Sequence, residues 1–183
     1  MAAAPVHGAQ ESQFAAPGAG CEQFELRSVS RQDVPALLAV YQACEDFLAL
    51  GPQSTASEAM IDSDMTQCAA ACGLFRGISW HGALVGVVDH RGHGHEGDPG
   101  LGYMALLMIV PEARGVGLGA AVVRRVEAEI AGDERVCAIG CSVQVNNPAA
   151  LRFWQRLGYA VVSAPEAQPD GTTVVHLRKQ LRA

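Results

Sequence analysis

The chain has 183 residues, 49% of them apolar and 17% charged, and its net charge is −6. A chain of this length and apolar content forms one globular domain with a sizeable core rather than a disordered segment. The acidic balance argues against a nucleic-acid surface and leaves room for a neutral or cationic substrate. No apolar run is long enough to span a membrane.

The first 21 residues differ in composition from the rest. They are rich in Ala, Gly and Pro, and they lack the basic residues and apolar core of a targeting signal. We therefore expect residues 1–21 to be a disordered tail and residues 22–183 to be one domain. Without a secretory signal, the six cysteines are expected to be buried reduced thiols, which indicates a cytoplasmic protein. A zinc site at Cys68 and Cys72 would need two further ligands that the sequence does not nominate.

A strand and two helices are the first predicted elements. The strand covers Phe24–Val29, and Ser30 follows as a plausible helix N-cap. One helix is predicted over residues 33–50, where Gly51-Pro52 breaks it, and a second over residues 57–72. The predicted buried stripe of the first helix comprises Leu37, Leu38, Tyr41, Cys44, Phe47 and Leu48.

A hairpin and a polar loop come next. Strands are predicted over Leu74–Trp80 and Ala83–Asp89, joined by His81-Gly82 in a turn that needs positive φ. The loop over residues 90–100 is rich in glycine and histidine. Imidazole is a good metal ligand, but the histidine spacing matches no established metal motif, so we expect a solvated loop and no metal. The histidines are His90, His93 and His95.

The central stretch joins a buried strand to a helix through a glycine-rich turn. The apolar run Met104–Val110 predicts the strand, and Pro111 ends it. The turn is Arg114-Gly-Val-Gly-Leu-Gly119, and residues 120–130 have helical spacing. Backbone N–H groups and the helix dipole converge there, and glycines let a phosphate approach them. The pattern therefore predicts a site for a phosphorylated cofactor.

The spacing of the glycines narrows the choice of cofactor. A Walker loop needs Gly-Lys-Ser/Thr, whereas Gly119 is followed by two alanines. A dinucleotide fingerprint needs G-x-G-x-x-G, and the glycines at 115, 117 and 119 have other offsets. A flexible glycine turn without a ligand remains the alternative.

A second block lies downstream. Residues 136–143 predict a strand, and Asn147 can cap a helix over residues 149–157 that Gly158 ends. Two further strands are predicted over residues 159–163 and 172–178.

These two blocks together resemble the GNAT superfamily of acyl-CoA-dependent N-acyltransferases. Arg114, Gly117 and Gly119 reproduce the Arg-x-x-Gly-x-Gly of its pyrophosphate-binding loop, and the run from Asn147 to Tyr159 looks like its second block. The resemblance covers about residues 24–181. It implies an α/β (α+β) fold with a mixed, mostly antiparallel central sheet flanked by helices on both faces. It also implies acetyl-CoA as cofactor and direct transfer of the acetyl group to a primary amine of a small molecule or peptide.

The resemblance assigns roles along the chain. The family stabilises the tetrahedral oxyanion with a backbone N–H of the central strand, here within Leu107–Ile109, and we take Met108 as the donor. Phe47 and His95 are candidates for contact with the acceptor. Dimers are frequent in the family, so a homodimer is one expected form. The residues implied to hold acetyl-CoA are Leu107, Met108, Ile109, Arg114, Gly115, Val116, Gly117, Leu118, Gly119, Ala120, Asn147, Ala150, Phe153 and Trp154.

Two positions depart from the family pattern. Trp154 stands where many relatives carry a tyrosine that protonates the leaving thiolate, and an indole N–H is no usable acid. Ser142 stands where some relatives carry a glutamate base. The sequence leaves the base open among Asp89, Glu96 and His95, and the acid open between Tyr103 and Tyr159. A catalytically impaired acyl-CoA-binding sensor or scaffold is therefore the alternative function.

Overall fold

The structure is a computed structural model that describes residues 23–182. The predicted tail over residues 1–21, including Cys21, lies outside the described residues. The strands are β1 Phe24–Ser28, β2 Leu74–Trp80, β3 Ala83–Arg91, β4 Leu101–Ile109, β5 Ala138–Gln144, β6 Ala160–Val161, β7 Glu166–Ala167 and β8 Thr173–Gln180. The helices are α1 Val34–Ala43, α2 Glu45–Leu48, α3 Glu58–Ala70, α4 Leu118–Ile130 and α5 Pro148–Arg156.

All eight strands belong to one mixed sheet. The order is β1-β2-β3-β4-β5-β8-β6, with β7 also paired to β8. Among the strands of residues 23–182, only the β4–β5 pairing is parallel, and the other pairings are antiparallel. The mixed, mostly antiparallel sheet expected from the sequence is therefore confirmed.

Helices cover both faces of the sheet. Successive residues of a strand point to opposite faces, so Val87 packs in the cluster with α1 and α3, while Val88 packs in the cluster with α4 and α5. The amphipathic pattern of α4 places Val122, Val123 and Val126 in the second cluster with no exposed surface. The central strands are thus buried on both sides, which holds β4 and β5 in position.

The first predicted helix is wrong in its length. Instead of one helix over residues 33–50, α1 ends at Ala43 and the single turn α2 begins at Glu45, because Cys44 leaves helical geometry at φ −107 and ψ 22. Ser30 caps a short 3-10 turn ahead of α1 with a capping box to Asp33. The break turns α2 toward the end of β4, where Asp46 meets an arginine described below.

Several strand boundaries also differ from expectation. β3 runs two residues further, to Arg91, and β4 begins three residues earlier, at Leu101. The predicted loop therefore shortens, and His90 lies buried in β3 with its Nε2 2.6 Å from Arg76 Nη2. β5 begins at Ala138 rather than at residue 136. The tight turn at His81-Gly82 is confirmed, with φ of 50° and 80°.

The cysteines are only partly as expected. Cys44, Cys68 and Cys141 are buried free thiols, and burial raises the pKa of Cys68 and of Cys141 to about 12. Cys72 and Cys137 are exposed, because Cys72 follows the end of α3 in a left-handed conformation and Cys137 precedes β5. Within residues 23–182, no helix has both the length and the apolar character needed to cross a membrane.

Candidate active site

A gap between β4 and β5 is the centre of the site. The two strands pair only from Leu101–Met104 to Ala138–Cys141, and beyond that each is paired on its outer side alone. The β3–β4 register passes from His90↔Met104 to Asp89↔Leu106, so Ala105 is the extra residue of a bulge. A cavity of about 590 Å³ opens between the separated strands.

The register decides which peptide groups of β4 face this gap. Val110 N donates to Val85 O at 2.9 Å, so Val85 and Val110 form a hydrogen-bonded pair. Such pairs alternate along an antiparallel ladder, which directs the N–H of Met108 toward Val87 on β3. The peptide groups of Leu107 and Ile109 point the other way, into the gap. The sequence put the oxyanion donor at Met108, but the register turns that N–H toward β3, and of Leu107 and Ile109 only Leu107 lines the cavity.

The glycine turn continues from the end of β4 and presents backbone amides. Gly115 and Gly117 have φ of +78° and +94°, a region that favours glycine, and a Cβ on Gly115 would meet nothing within 4 Å. The N–H of Ala121 bonds to Gly117 O at 3.0 Å and is the first intrahelical donor of α4. The preceding amides of residues 118–120 have no carbonyl of the preceding turn to bind. The turn has the form of an anion site.

The Arg114 side chain is engaged within the protein. Its Nε donates to Ile109 O at 2.6 Å, and its Nη2 lies 3.1 Å from Asp46 Oδ1. The guanidinium beside Asp46 holds the pKa of that carboxyl below its usual range. The backbone N of Arg114 donates to Pro111 O at 3.1 Å. Arg114 thus fastens α2 to the end of β4, and we assign the ligand-facing amides to the residues after it.

Helix α5 forms the wall of the cavity on the α4 side of the sheet. The Oδ1 of Asn147 accepts from Ala150 N at 2.9 Å and caps the helix. Asn147, Ala150 and Trp154 line the cavity, and the ring of Phe153 packs against Gly119 of the glycine turn. Trp154 is buried, in edge-to-face contact with Phe153 and with Tyr159 at centroid distances of 5.2 and 4.9 Å. The glycine turn and the segment from Asn147 to Tyr159, which together carry the family resemblance, are therefore in contact.

The structure brings together most of the predicted acid–base candidates. Tyr103, His95 and Glu96 all line the cavity. The His95 ring stacks on Tyr103 at 3.6 Å between centroids, and burial lowers the pKa of His95, which keeps it neutral. Asp89 is not with them: it is buried next to the Cys68 thiol of α3, and burial raises its pKa.

Tyr159 also lies apart from the cavity lining. It packs in the cluster with α4 and α5, and burial raises its pKa. Of the two tyrosines considered as acids, Tyr103 is the one that faces the cavity.

His176 is a cavity residue that the sequence analysis missed. It lies on β8 opposite Ser142 of β5, and its Nδ1 is 2.8 Å from Ser142 Oγ. Ser142 Oγ in turn accepts from Tyr103 Oη at 2.7 Å. A polar residue between the buried Val175 and Leu177 was a usable signal, but its partner could not be known before the strands were paired.

The wall away from α5 carries acidic and aromatic groups. Phe47 of α2 lines it with Glu96 and Asp170. Glu96 has φ of 52°, an unfavourable conformation for a residue with a side chain. Across residues 23–182, no three His, Cys, Asp or Glu side chains are placed to hold a metal ion, and the three loop histidines do not converge.

Comparison with known proteins identifies a family and a curated protein that this chain resembles in sequence. Residues 37–159 match the model of the acetyltransferase (GNAT) family. A stretch of 90 residues, 47% of the chain, is 32% identical to the mycothiol acetyltransferase of Mycolicibacterium gilvum and covers 28% of it. The chain thus spans less than a third of the length of that curated relative.

Solved structures share the whole fold. An acetyltransferase from Thermus thermophilus matches with a TM-score of 0.74 and 21% identity, over 88% of this chain and 99% of that one. AAC(6')-Ib, in complex with ribostamycin and coenzyme A, matches with a TM-score of 0.71 and 18% identity, over 86% and 93%. At these identities the likeness concerns the fold.

Proposed function

The chain belongs to the acetyltransferase (GNAT) family, and on that premise we propose that it transfers the acetyl group of acetyl-CoA to a primary amine of a small molecule or peptide. The reaction is acyl transfer, in class EC 2.3.1. The observation that carries the proposal is the gap between β4 and β5, which runs from the glycine turn to a cavity that reaches both faces of the sheet. A long, thin cofactor and an acceptor can therefore meet from opposite sides.

The chain's own groups fit the cofactor. The amides of residues 115–120 would hold the pyrophosphate, because they combine positive φ, open space and a helix N-terminus. The peptide group of Leu107 and the N–H of Ile109, whose carbonyl already accepts from Arg114 Nε, would bind the pantetheine arm in the manner of an added strand. Asn147, Ala150, Phe153 and Trp154 would form the wall beside it. The bound thioester supplies the acetyl group, and the N–H of Leu107 would stabilise the oxyanion.

Direct transfer is favoured over an acyl-enzyme intermediate. Cys141 lines the cavity, but burial raises the pKa of its thiol to about 12 and keeps it protonated. A thiol rather than a thiolate is a poor nucleophile. The protein then has to orient the amine, accept its proton and stabilise the oxyanion.

The cavity wall favours a cationic or hydrogen-bonding acceptor. Glu96 and Asp170 place carboxylates at the side facing away from α5, and Phe47 adds an aromatic face. An ammonium group is attracted by both kinds of group. The net charge of −6 acts in the same direction at longer range.

A thiol-release assay with acetyl-CoA and a panel of amines tests this proposal. The panel includes diamines, aminosugars, arylamines and peptide N-termini, and calorimetry with CoA runs beside it. Turnover of at least one amine supports the transferase. CoA binding without turnover of any amine supports the sensor or scaffold, which the replacement of the family tyrosine by the packed Trp154 favours. No CoA binding at millimolar ligand excludes both.

A further inference from the structure

Four side chains from four strands form one hydrogen-bonded chain that begins in the cavity. Tyr103 Oη donates to Ser142 Oγ at 2.7 Å, and Ser142 Oγ lies 2.8 Å from His176 Nδ1. His176 Nε2 lies 3.2 Å from Glu166 Oε2, at the protein surface. The side chains are 31% exposed for His176 and 64% exposed for Glu166, so the far end of the chain is in contact with solvent.

The sheet register explains why these groups meet. Tyr103 lies opposite Gly140 in the parallel β4–β5 pairing, and its ring passes over Gly140, where a Cβ would lie 3.5 Å from Tyr103 Cδ2, to reach Ser142. Val145 N donates to Thr173 O, so the alternation along β5–β8 makes Ser142↔His176 a pair without backbone hydrogen bonds. Side chains are closest in such pairs. The contact is therefore built into the sheet.

The hydrogen bonds of the chain all point the same way. The carboxylate of Glu166 can only accept, so His176 Nε2 donates to it and Nδ1 carries the lone pair. Ser142 then gives its single proton to Nδ1, and its oxygen accepts from Tyr103. This assignment leaves a lone pair of the Tyr103 oxygen facing the cavity, with every donor directed toward Glu166.

We propose that Tyr103, Ser142 and His176 form a proton relay that makes His176 the base for the acceptor amine. This inference rests on the proposed acetyl transfer. The attacking nitrogen gives its proton to Tyr103 Oη while the phenol proton passes to Ser142 and the serine proton passes to His176 Nδ1. The N–C bond forms, the C–S bond breaks, and the thiolate takes a proton from water. Imidazolium at His176, stabilised by Glu166, then loses its proton to solvent.

The surroundings agree with a relay rather than with a tyrosinate base. Burial raises the pKa of Tyr103, so the phenol holds a proton unless it hands one on. The charged and titratable groups around the relay are Glu166 on β7, which contacts His176, and His95, whose ring stacks on Tyr103. Arg91 lies over the Tyr103 ring at 5.8 Å from its centroid, and the charges of Arg91 and Arg178 also act on His95. Glu96 and Asp170 face the same cavity with His176. The relay thus links a buried phenol to an exposed imidazole that can exchange protons with water.

The first test removes one hydroxyl at a time and measures kcat/KM against pH with an amine that the parent protein acetylates. We expect Tyr103→Phe and Ser142→Ala each to lower kcat/KM at neutral pH by about 100-fold. We expect both to abolish the acidic limb of the profile, because the amine proton can then no longer reach the imidazole of His176. Ser142→Thr restores a hydroxyl and should recover most of the rate, and all three variants should bind CoA as the parent does.

Ser163→Ala is the matched control. Its Oγ accepts from the backbone N of His176 at 2.9 Å, outside the relay, so its loss should leave the shape of the pH profile unchanged. A structural role of the network would instead lower the rate in all variants without removing the acidic limb. An unchanged acidic limb in Ser142→Ala overturns the relay.

The second test does not depend on turnover. Nitrogen NMR of the full chain should show His176 as the Nε2–H tautomer, and Ser142→Ala should shift the Nδ1 resonance while Ser163→Ala leaves it in place. The Nδ1–H tautomer would overturn the relay even if the protein acetylates amines. Failure of the whole amine panel with the Nε2–H tautomer intact would contradict the proposed transferase and the relay's catalytic use, but not the hydrogen-bond direction.

Discussion

Replacing Gly86 by alanine should damage both the stability and the activity of the protein. Gly86 lies on β3 opposite Ile109, and an ideal Cβ there would lie 2.4 Å from the carbonyl oxygen of Met108 and 3.2 Å from the Cα of Ile109. Both contacts are backbone atoms of β4, which no side-chain rotation can move. The methyl group therefore has to push β3 and β4 apart.

The size of the effect follows from these distances. Ordinary carbon–oxygen contacts are about 3.3 Å or longer, so the strands must separate by about 0.9 Å. That displacement stretches the two backbone bonds between Val87 and Met108 from about 2.9 Å to about 3.8 Å, beyond hydrogen-bond range. Two lost bonds lower the free energy of unfolding by about 2 kcal/mol, which corresponds to a fall in Tm of about 4–8 °C. Displacement of the adjacent Leu107 amide should lower kcat/KM by up to about 100-fold.

Gly77→Ala provides the comparison. Gly77 lies on the partner strand β2, and its Cβ would meet only side-chain atoms, Leu84 Cδ1 at 2.7 Å, Val29 Cγ1 at 3.1 Å and Arg27 Cγ at 3.7 Å. These side chains can rotate away at a small energetic cost. Alanine loses less conformational entropy than glycine on folding into a strand, by about 0.5–1 kcal/mol, and this offsets that cost, so Tm should change little. Thermal unfolding and the thiol-release assay measure both variants. Equal Tm and activity for Gly86→Ala and the parent would refute the reasoning.

Three further predictions concern the glycine turn, the Arg114–Asp46 ion pair and the buried carboxyl group of Asp89. Gly117→Trp should abolish CoA binding in calorimetry while circular dichroism shows the fold retained, because the bulky side chain occupies the phosphate approach. A double-mutant cycle of Arg114→Ala and Asp46→Ala should give a coupling below about 1 kcal/mol that weakens with salt, since both side chains are partly exposed, at 38% and 55%. Both single variants, Arg114→Ala and Asp46→Ala, should raise the KM for the acceptor more than the dissociation constant of CoA. The reason is that the Arg114–Asp46 ion pair holds α2 in position and does not contact the pyrophosphate. Burial raises the pKa of Asp89 in the folded state, so its contribution to stability is present at low pH and is lost as pH rises through that pKa. Asp89→Asn should therefore reduce the loss of stability that urea titrations measure as pH rises above the ordinary aspartate pKa of 3.8, and an unchanged slope would contradict the assignment.

Features governed by local chemistry could be predicted from the sequence. Pro111 follows the buried strand, Asn147 caps α5, and Gly158 ends it at φ +92°. Each of these depends on a residue's own backbone preference or on a partner a few positions away. The strand–turn–helix segment around Gly117 is of the same kind. The family resemblance therefore rested on the part of the chain that local rules describe well.

Features set by distant partners could not be predicted. The break at Cys44 brings Asp46 to Arg114, which is 68 residues away, and helical spacing holds no information about that ion pair. The direction of the Leu107 peptide depends on the β3–β4 register and on the bulge at Ala105. His176 and Ser142 are 34 residues apart and meet only because β5 and β8 pair in one register. A shift of β8 by one residue would have turned His176 to the opposite face of the sheet, away from Ser142.

The contact between Gly119 and Phe153 limits how this protein could be re-engineered. A Cβ at position 119 would lie 3.5 Å from the Phe153 ring and from Ile109 Cδ1, so a methyl group there would be in direct contact with both side chains. Transplanting the glycine segment alone into another scaffold would leave its flat aromatic support behind. We expect an exchange between homologues to preserve the fold only when the glycine turn and the segment that contains Phe153 are exchanged together, because the two segments pack against each other.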